Sequence, residues 1–434
     1  MNIIYVQSYP VYHDTPYDEP FFDLANRDKW MPALTCQKGF PAELWAVGDG
    51  PEREDWQYDT LPSLPIRMFP PDQENGDSRY HTSGALNRAA LKAWENRIEN
   101  LNDDTGKPGV IANAGWTGKT ESSEVAVDVR RQGNADGSET ATDAGKPGGT
   151  GRSTDAAGPK TAEATAHADE LAADLFVLKG MDGGVGISLA NEVLIPNRIP
   201  FAIIIRGEWY HSIIKHAAVV LYETEWQYRK LTRRSWRFWR TVLDEDKLIR
   251  LPKSVDTRHF APDPQIEKEF DVMVVGKVVD GHRDFQAIFE ISRRRKVGVV
   301  GGGPMLETLK NKYPEITWFG AVPYADMPSY LNRGKIFFHS GVREHFPLSV
   351  IEAAACGVPP VAFGEVIHED VIPDGVGLRV SQKKYLKEID ALLEHPERLH
   401  QMSQSARRYA EKHWNHCSTQ GAITGMVKKA RTNK

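Results

Sequence analysis

Cysteine is scarce: Cys36, Cys356 and Cys417 are the three present in 434 residues. They lack metal-ligand spacing, and any disulfide pairing leaves one over, so neither a zinc motif nor a disulfide framework is indicated. This usage fits a reducing, cytoplasmic setting better than secretion. Long apolar runs are also missing; none reaches the ~18 residues of a membrane-span candidate. The opening Asn2-Ile3-Ile4-Tyr5-Val6-Gln7 has no basic leader and no apolar signal core, and is expected to be a buried strand. Charge of one sign is not in excess either: a net −5 is too mild a field to argue for nucleic acid. With 40% apolar and 26% charged residues, the chain is expected to be soluble or peripheral. Its length allows two to three domains at ~100–200 residues each.

Short apolar runs alternate with helical stretches, the pattern of strand–helix–strand units in a parallel sheet. Strands are predicted near 2–8, 43–48, 66–69, 174–179, 201–205, 218–222 and 247–251, with helices near 22–38, 84–100, 186–195 and 225–242. A second set begins at Asp271-Val272-Met273-Val274-Val275-Gly276 and continues through 296–300, 316–319, 335–339 and 358–363. Two such sets predict an α/β protein of two Rossmann-like, doubly wound domains facing a central cleft. The division is placed at 1–255 and 256–414, with the joint in the Pro-bearing stretch from Pro252 to Pro264.

One stretch breaks the pattern. Residues 102–168 contain a single aromatic, Trp116, one Ile and no Leu. Such a composition cannot bury enough apolar surface to offset chain entropy, so a low-complexity, largely disordered insertion is expected. Gly118-Lys119-Thr120 within it is no P-loop, because the required earlier glycine is Asn113 and no strand precedes it.

The chemistry concentrates between Val299 and Leu378. Gly301-Gly302-Gly303-Pro304 follows a strand and precedes a helix, where glycines admit close backbone approach and a helix N-terminus favours anions. A tight strand-to-helix turn is the alternative reading. Next comes His339-Ser340-Gly341-Val342-Arg343-Glu344-His345-Phe346-Pro347-Leu348-Ser349-Val350-Ile351-Glu352. On one helix the two glutamates would be about 80° out of register. Glu344 is therefore assigned to a loop and Glu352 to the second turn of a helix, so that both can face one ligand. The first-turn amides beside Pro347 would be available to phosphate oxygens.

This stretch resembles the E-x7-E signature of retaining glycosyltransferase family 4, which has the GT-B fold. Other pieces stand in the same order. Leu251-Pro252-Lys253-Ser254-Val255-Asp256 with Phe260 and Pro262 resembles P-N-G-V-D-x-x-x-F-x-P, and Trp318-Phe319-Gly320 resembles a strand ending F-x-G. Glu352-Ala353-Ala354-Ala355-Cys356-Gly357-Val358-Pro359 resembles E-A-M-A-C-G-x-P, and Gly364 to Gly377 resembles the family's following segment. The likeness covers nearly all of the C-terminal domain and fragments of the first, including Pro200 to Gly207 as a strand ending Arg-Gly.

The resemblance implies roles. Glu344 would contact the donor sugar and Glu352 the ribose hydroxyls, while Lys277 and Arg283 would neutralise the diphosphate. Gly302, Gly303, Val322, Phe346, Pro347, Leu348 and Ser349 would complete the donor site. Residues 415–434 would form a helix crossing back to the first domain. The sequence departs from the family where Gly276-Lys277-Val278 replaces Gly-Arg-Leu and His282-Arg283 replaces Lys-Gly. It departs again after the first strand, where Ser8-Tyr9-Pro10-Val11-Tyr12-His13-Asp14 stands in place of a glycine-rich loop.

Arg206 would project from a strand end into the cleft; a structural ion pair is the alternative. Lone His13 and His211 are read as structural, and Asp244-Glu245-Asp246 as an acidic turn rather than a metal site. Arg229, Arg233, Arg237 and Arg240 share one face of the helix over 225–242, either solvated or attached peripherally to an anionic membrane at the inner surface. The implied activity is metal-independent, retaining transfer of a glycosyl group from a nucleotide-diphosphate-sugar to a carbohydrate, lipid-linked or protein-glycan acceptor, with no cofactor and no nucleic-acid partner. A non-catalytic nucleotide-sugar binder and a sugar-nucleotide epimerase on the same fold are the alternatives.

Overall fold

The computed structural model describes residues 1–7, 30–47, 65–70, 72, 83–105, 172–179, 184–206, 211–233, 242–342, 344 and 346–432. Two parallel sheets organise them. The first runs through β1 (Ile3–Gln7), β2 (Ala42–Val47), β3 (Ile66–Phe69), β4 (Leu175–Lys179), β5 (Phe201–Ile204), β6 (Val219–Tyr222) and β7 (Leu248–Arg250). Its spatial order is β3-β2-β1-β4-β5-β6-β7. Helices α1 (Trp30–Gln37), α2 (Gly84–Thr105), α3 (Val185–Leu189, continued by a π turn Ala190–Leu194) and α4 (Glu225–Thr232) connect the strands. β1 and β4 are buried at every position, as the centre of a sheet covered on both faces requires.

The second sheet comprises β8 (Phe270–Val275), β9 (Val297–Val300), β10 (Thr317–Gly320), β11 (Gly334–His339), β12 (Pro360–Phe363) and β13 (Leu378–Val380), in the order β10-β9-β8-β11-β12-β13. α5 (Phe285–Ser292), α6 (Leu306–Lys312), α7 (Met327–Asn332), α8 (Leu348–Ala355), α9 (Tyr385–Leu393) and α10 (Pro396–Tyr409) flank it. In each sheet the strand order reverses once, between β1 and β4 and between β8 and β11. Such switch points open a crevice at the carboxyl ends of parallel strands.

The last helix, α11 (Gln420–Thr432), leaves the second sheet and packs on the first. Its Ile423, Met426, Val427 and Ala430 join Ile3, Tyr5, Leu44, Ala202 and Leu251 in one buried cluster. The chain thus crosses between the halves twice, and the crossings are tied together. Val255 N donates to Trp414 O at 2.7 Å, Ser254 Oγ and His416 Nδ1 lie 2.8 Å apart, and Asn415 Nδ2 donates to Thr257 Oγ1 at 2.5 Å. A second seam joins the halves where Asp370 accepts from Glu225 N at 2.8 Å, at the start of α4.

Several elements differ from expectation. α4 stops at Thr232, and Arg233 is its extended C-cap, so Arg233 does not continue the basic face begun by Arg229. Residues 234–241, with Arg237 and Arg240, lie outside the described residues. So do 22–29 of the expected first helix, the 8–14 loop with His13, and 106–168 of the expected insertion; 102–105 continue α2. β13 had no counterpart in the sequence pattern, being three residues long. Among the described residues, no helix is long and apolar enough to cross a membrane.

Candidate active site

α8 shows how local sequence builds the site. Ala353-Ala354-Ala355 favours helix, and Pro347, extended at φ −73° and ψ 137°, precedes its first turn without a side-chain cap. Gly357 ends it at φ 67°, a left-handed conformation suited to glycine. Gly357 N donates to Ala354 O and Val358 N to Ala353 O, both at 2.9 Å, closing the end with a Schellman pair. With its far end satisfied, the helix leaves the amides of its first turn, those of Leu348 and Ser349 among them, without intrahelical acceptors.

The loops after those two strands are stitched together. Asp284 N donates to Ser340 O at 2.7 Å, and Arg283 and Gly341 form an isolated antiparallel bridge. Between them and α8 lies a cavity of about 190 Å³, lined by Lys253, Val275, Gly276, Lys277, His282, Arg283, Glu344 and the Pro347–Ser349 start of α8. It occupies the switch point of the second sheet.

Arg283 dominates its electrostatics. Its side chain is 8% exposed, and neither Nε nor Nη1 has a hydrogen-bond partner. Nη2 lies 3.8 Å from a Glu344 carboxylate oxygen, while the Glu344 side chain is 57% exposed. Burial pulls the Arg283 pKa below its ordinary value, and Glu344 opposes that shift. Arg283 lines the cavity while its Nε and Nη1 are sealed from solvent without acceptors, so its charge is uncompensated and favours an anion in the cavity. Behind it, His339 is fully buried, with Nε2 3.9 Å from the same Glu344 oxygen and neither ring nitrogen hydrogen-bonded. Burial, and then Arg283, hold His339 well below the usual histidine range, so its ring is neutral.

Gly276 makes room for Arg283. At φ 149°, a Cβ there would overlap the guanidinium. Gly303 has a different reason: at φ 154°, its Cβ would run into the Val278 carbonyl. The Gly301–Gly303 turn is thus packed against the loop after β8.

The sequence-assigned residues therefore separate into groups. Lys277, Arg283, Glu344, Pro347, Leu348 and Ser349 meet around one cavity. Gly302 and Gly303 do not line it, and Gly302 is held instead against Ala321, with its hypothetical Cβ 3.2 Å from that methyl. Val322 is half-buried against the cluster containing Phe260 and Phe346; the Phe346 ring belongs to that core while its carbonyl faces Lys253. Arg206 is half-buried after β5 and does not line the cavity. Glu352 sits one turn into α8, fully buried; Oε1 accepts from Tyr324 Oη at 3.0 Å and Oε2 has no partner. Sequence reasoning assigned no role to Lys253, Tyr324 or His339 and passed over His282. For Lys253 a signal existed, because it stands where the P-N-G-V-D segment has asparagine.

The chain is similar to known proteins in sequence and in fold. Residues 264–409 match the family described as Glycosyl transferases group 1. A phosphatidylinositol N-acetylglucosaminyltransferase subunit of Arabidopsis thaliana is 29% identical over 150 residues, 31% of this chain and 33% of that protein. The Homo sapiens subunit of the same name is 26% identical over 151 residues, 31% of each. The matches thus span about a third of these relatives. Among solved structures, sucrose-phosphate synthase from Thermosynechococcus elongatus aligns at TM-score 0.60 and 12% identity, covering 100% of both chains. Anabaena HepE in complex with UDP aligns at 0.57 and 10%, covering 99% of this chain and 100% of that one. The fold is the GT-B arrangement of two Rossmann-like domains. The match to the group 1 glycosyltransferases lies within the chain's C-terminal half.

Proposed function

We propose that the protein transfers a sugar from a nucleoside-diphosphate-sugar to a hydroxyl acceptor, with retention of anomeric configuration and without a metal ion. The observation that carries this reading is the buried, weakly compensated guanidinium of Arg283, which lines a cavity shared with Lys277, Glu344 and the start of α8. That set suits a diphosphate and the sugar attached to it. As the bond from the anomeric carbon to the β-phosphate oxygen breaks, its electron pair goes to the diphosphate, which gains negative charge opposite Lys277 and Arg283. Positive charge grows on the sugar, where Glu344 stabilises it. The acceptor oxygen bonds to the anomeric carbon from the same face and its proton passes to the departing phosphate. In this reading Glu352 holds the ribose hydroxyls, and the acceptor approaches from the first domain.

The named activity of the relatives makes N-acetylglucosamine the first sugar to test and phosphatidylinositol-like lipids the first acceptors, and the UDP bound by HepE makes uridine diphosphate the first nucleotide. A lipid acceptor would also give the basic stretch around 225–242 a reason to lie near an anionic membrane. The experiment is release of UDP from UDP-sugars with and without an acceptor panel, with the product anomer read by NMR. Acceptor-dependent release with retained configuration is expected and should persist in chelator. Inversion, a strict Mg²⁺ or Mn²⁺ requirement, or binding with no turnover across the panel would overturn the corresponding part.

A further inference from the structure

We infer that Lys253, on the segment joining the two halves, is a third cation of the donor site and binds the diphosphate directly; this rests on the donor reading above. Lys253 lines the same cavity as Lys277, Arg283 and Glu344. Its Nζ donates to Phe346 O at 2.7 Å, immediately before α8, and lies 3.9 Å from a Glu223 carboxylate oxygen at the end of β6. The latter distance is too long for a hydrogen bond, so two of the three ammonium hydrogens are uncommitted. Its side chain is 22% exposed, open to a ligand yet shielded enough for charge to count.

Charge balance supports the assignment. With Lys277 and Arg283 alone, the Glu344 carboxylate would leave an excess of one positive charge. Lys253 adds a further charge, shared with the Glu223 carboxylate 3.9 Å from its Nζ, toward the two negative charges of an intact nucleotide-sugar. When the glycosidic bond breaks, the leaving group gains a further negative charge, and a third cation has most to contribute at that moment.

Lys253 also reaches the cavity from the opposite half of the chain. Arg283 and Lys277 follow β8 in the second half, whereas Lys253 follows β7 of the first sheet and is anchored toward Glu223 beyond β6. The donor site is therefore completed from the first half of the chain. A ligand on Lys253 bonds to both sides of the cleft, coupling diphosphate binding to the seam between the halves.

The alternative is structural: Lys253 merely pins the Phe346 carbonyl so that α8 begins in place. K253Q separates the two, because its amide can still donate to that carbonyl but carries no charge. K253M removes both functions and K253R restores the charge. The probes are UDP, uridine and inorganic pyrophosphate, titrated calorimetrically at low salt into the full chain, with melting temperature recorded for each variant. K253Q is expected to weaken UDP and pyrophosphate by about 30-fold, the worth of one charge-assisted contact, and uridine by less than about twofold. K253R should recover most of the loss. Should K253M fail to fold, K253Q and K253R carry the comparison. Equal losses for uridine and UDP, or full pyrophosphate affinity in K253Q, would overturn the inference. A parent protein that binds UDP no better than uridine would instead overturn the donor reading itself.

Discussion

Replacing Arg283 by methionine should move stability and ligand binding in opposite directions. The guanidinium is 8% exposed, leaves Nε and Nη1 without partners, and has Glu344 no nearer than 3.8 Å. In the unliganded protein that charge is desolvated with little return. A methionine fills much of the volume without the charge, so R283M should gain about 1–3 kcal/mol of stability. Glu344, at 57% exposure, stays hydrated and adds little to the balance. For a domain of this size each kcal/mol corresponds to about 2–4 °C in melting temperature. Binding should move the other way: two charge-assisted hydrogen bonds to a diphosphate are worth at least about 3 kcal/mol, so UDP affinity should fall by roughly 100-fold or more. Urea unfolding without ligand gives the first quantity and calorimetry with UDP the second. R283K should retain part of the affinity, since charge remains while the two-pronged geometry is lost. An R283M protein that unfolds more easily yet binds UDP as the parent does would refute the reasoning.

Gly276→Ala should mimic the loss of Arg283, because its Cβ would displace the guanidinium; UDP affinity falling by about tenfold or more, with the arginine intact, is the expected reading. Glu344→Ala should lower turnover by about 100-fold and leave UDP affinity nearly unchanged, while Glu352→Ala should weaken UDP itself; calorimetry with steady-state rates distinguishes them, and reversed effects would exchange the roles. Tyr324→Phe removes the hydroxyl that donates to Glu352 and should cost about 1–3 kcal/mol in urea unfolding. Stability should also fall on acidification. Burial pushes His416 from 6.5 down to about 4, so below pH 6.5 the unfolded chain takes up a proton that the folded chain does not bind until near pH 4. Stability present above pH 6.5 is thus lost progressively through that window, by about 3 kcal/mol from this group, and buried His339 acts in the same direction. Unfolding at about pH 7.5 and about pH 5 should differ less in H416Q than in the parent.

The sequence by itself determined the two parallel sheets, because buried strands need continuous apolar runs and their connecting helices need a longer period. It also determined that Glu344 lies in a loop and Glu352 in a helix, since Pro347 and the alanine run fix where α8 begins. Lys277 and Arg283 were legible as a pair through their place after β8. Only the tertiary structure decided which residues share a cavity. Gly302 and Gly303 resemble ligand-cradling glycines in sequence, but adjacent loops pack so tightly that Val278 and Ala321 occupy the space beside them. Glu352 and Glu344 belong to one sequence signature, yet one is fully buried against Tyr324 and the other faces solvent, because α8 turns Glu352 inward while Glu344 stays in the loop before it. Lys253 enters from the far side of a chain crossing, and His339 becomes a neutral neighbour of Glu344 through the pairing of β8 with β11. Contacts between residues distant along the chain depend on strand order and loop closure, which no local run of side chains encodes.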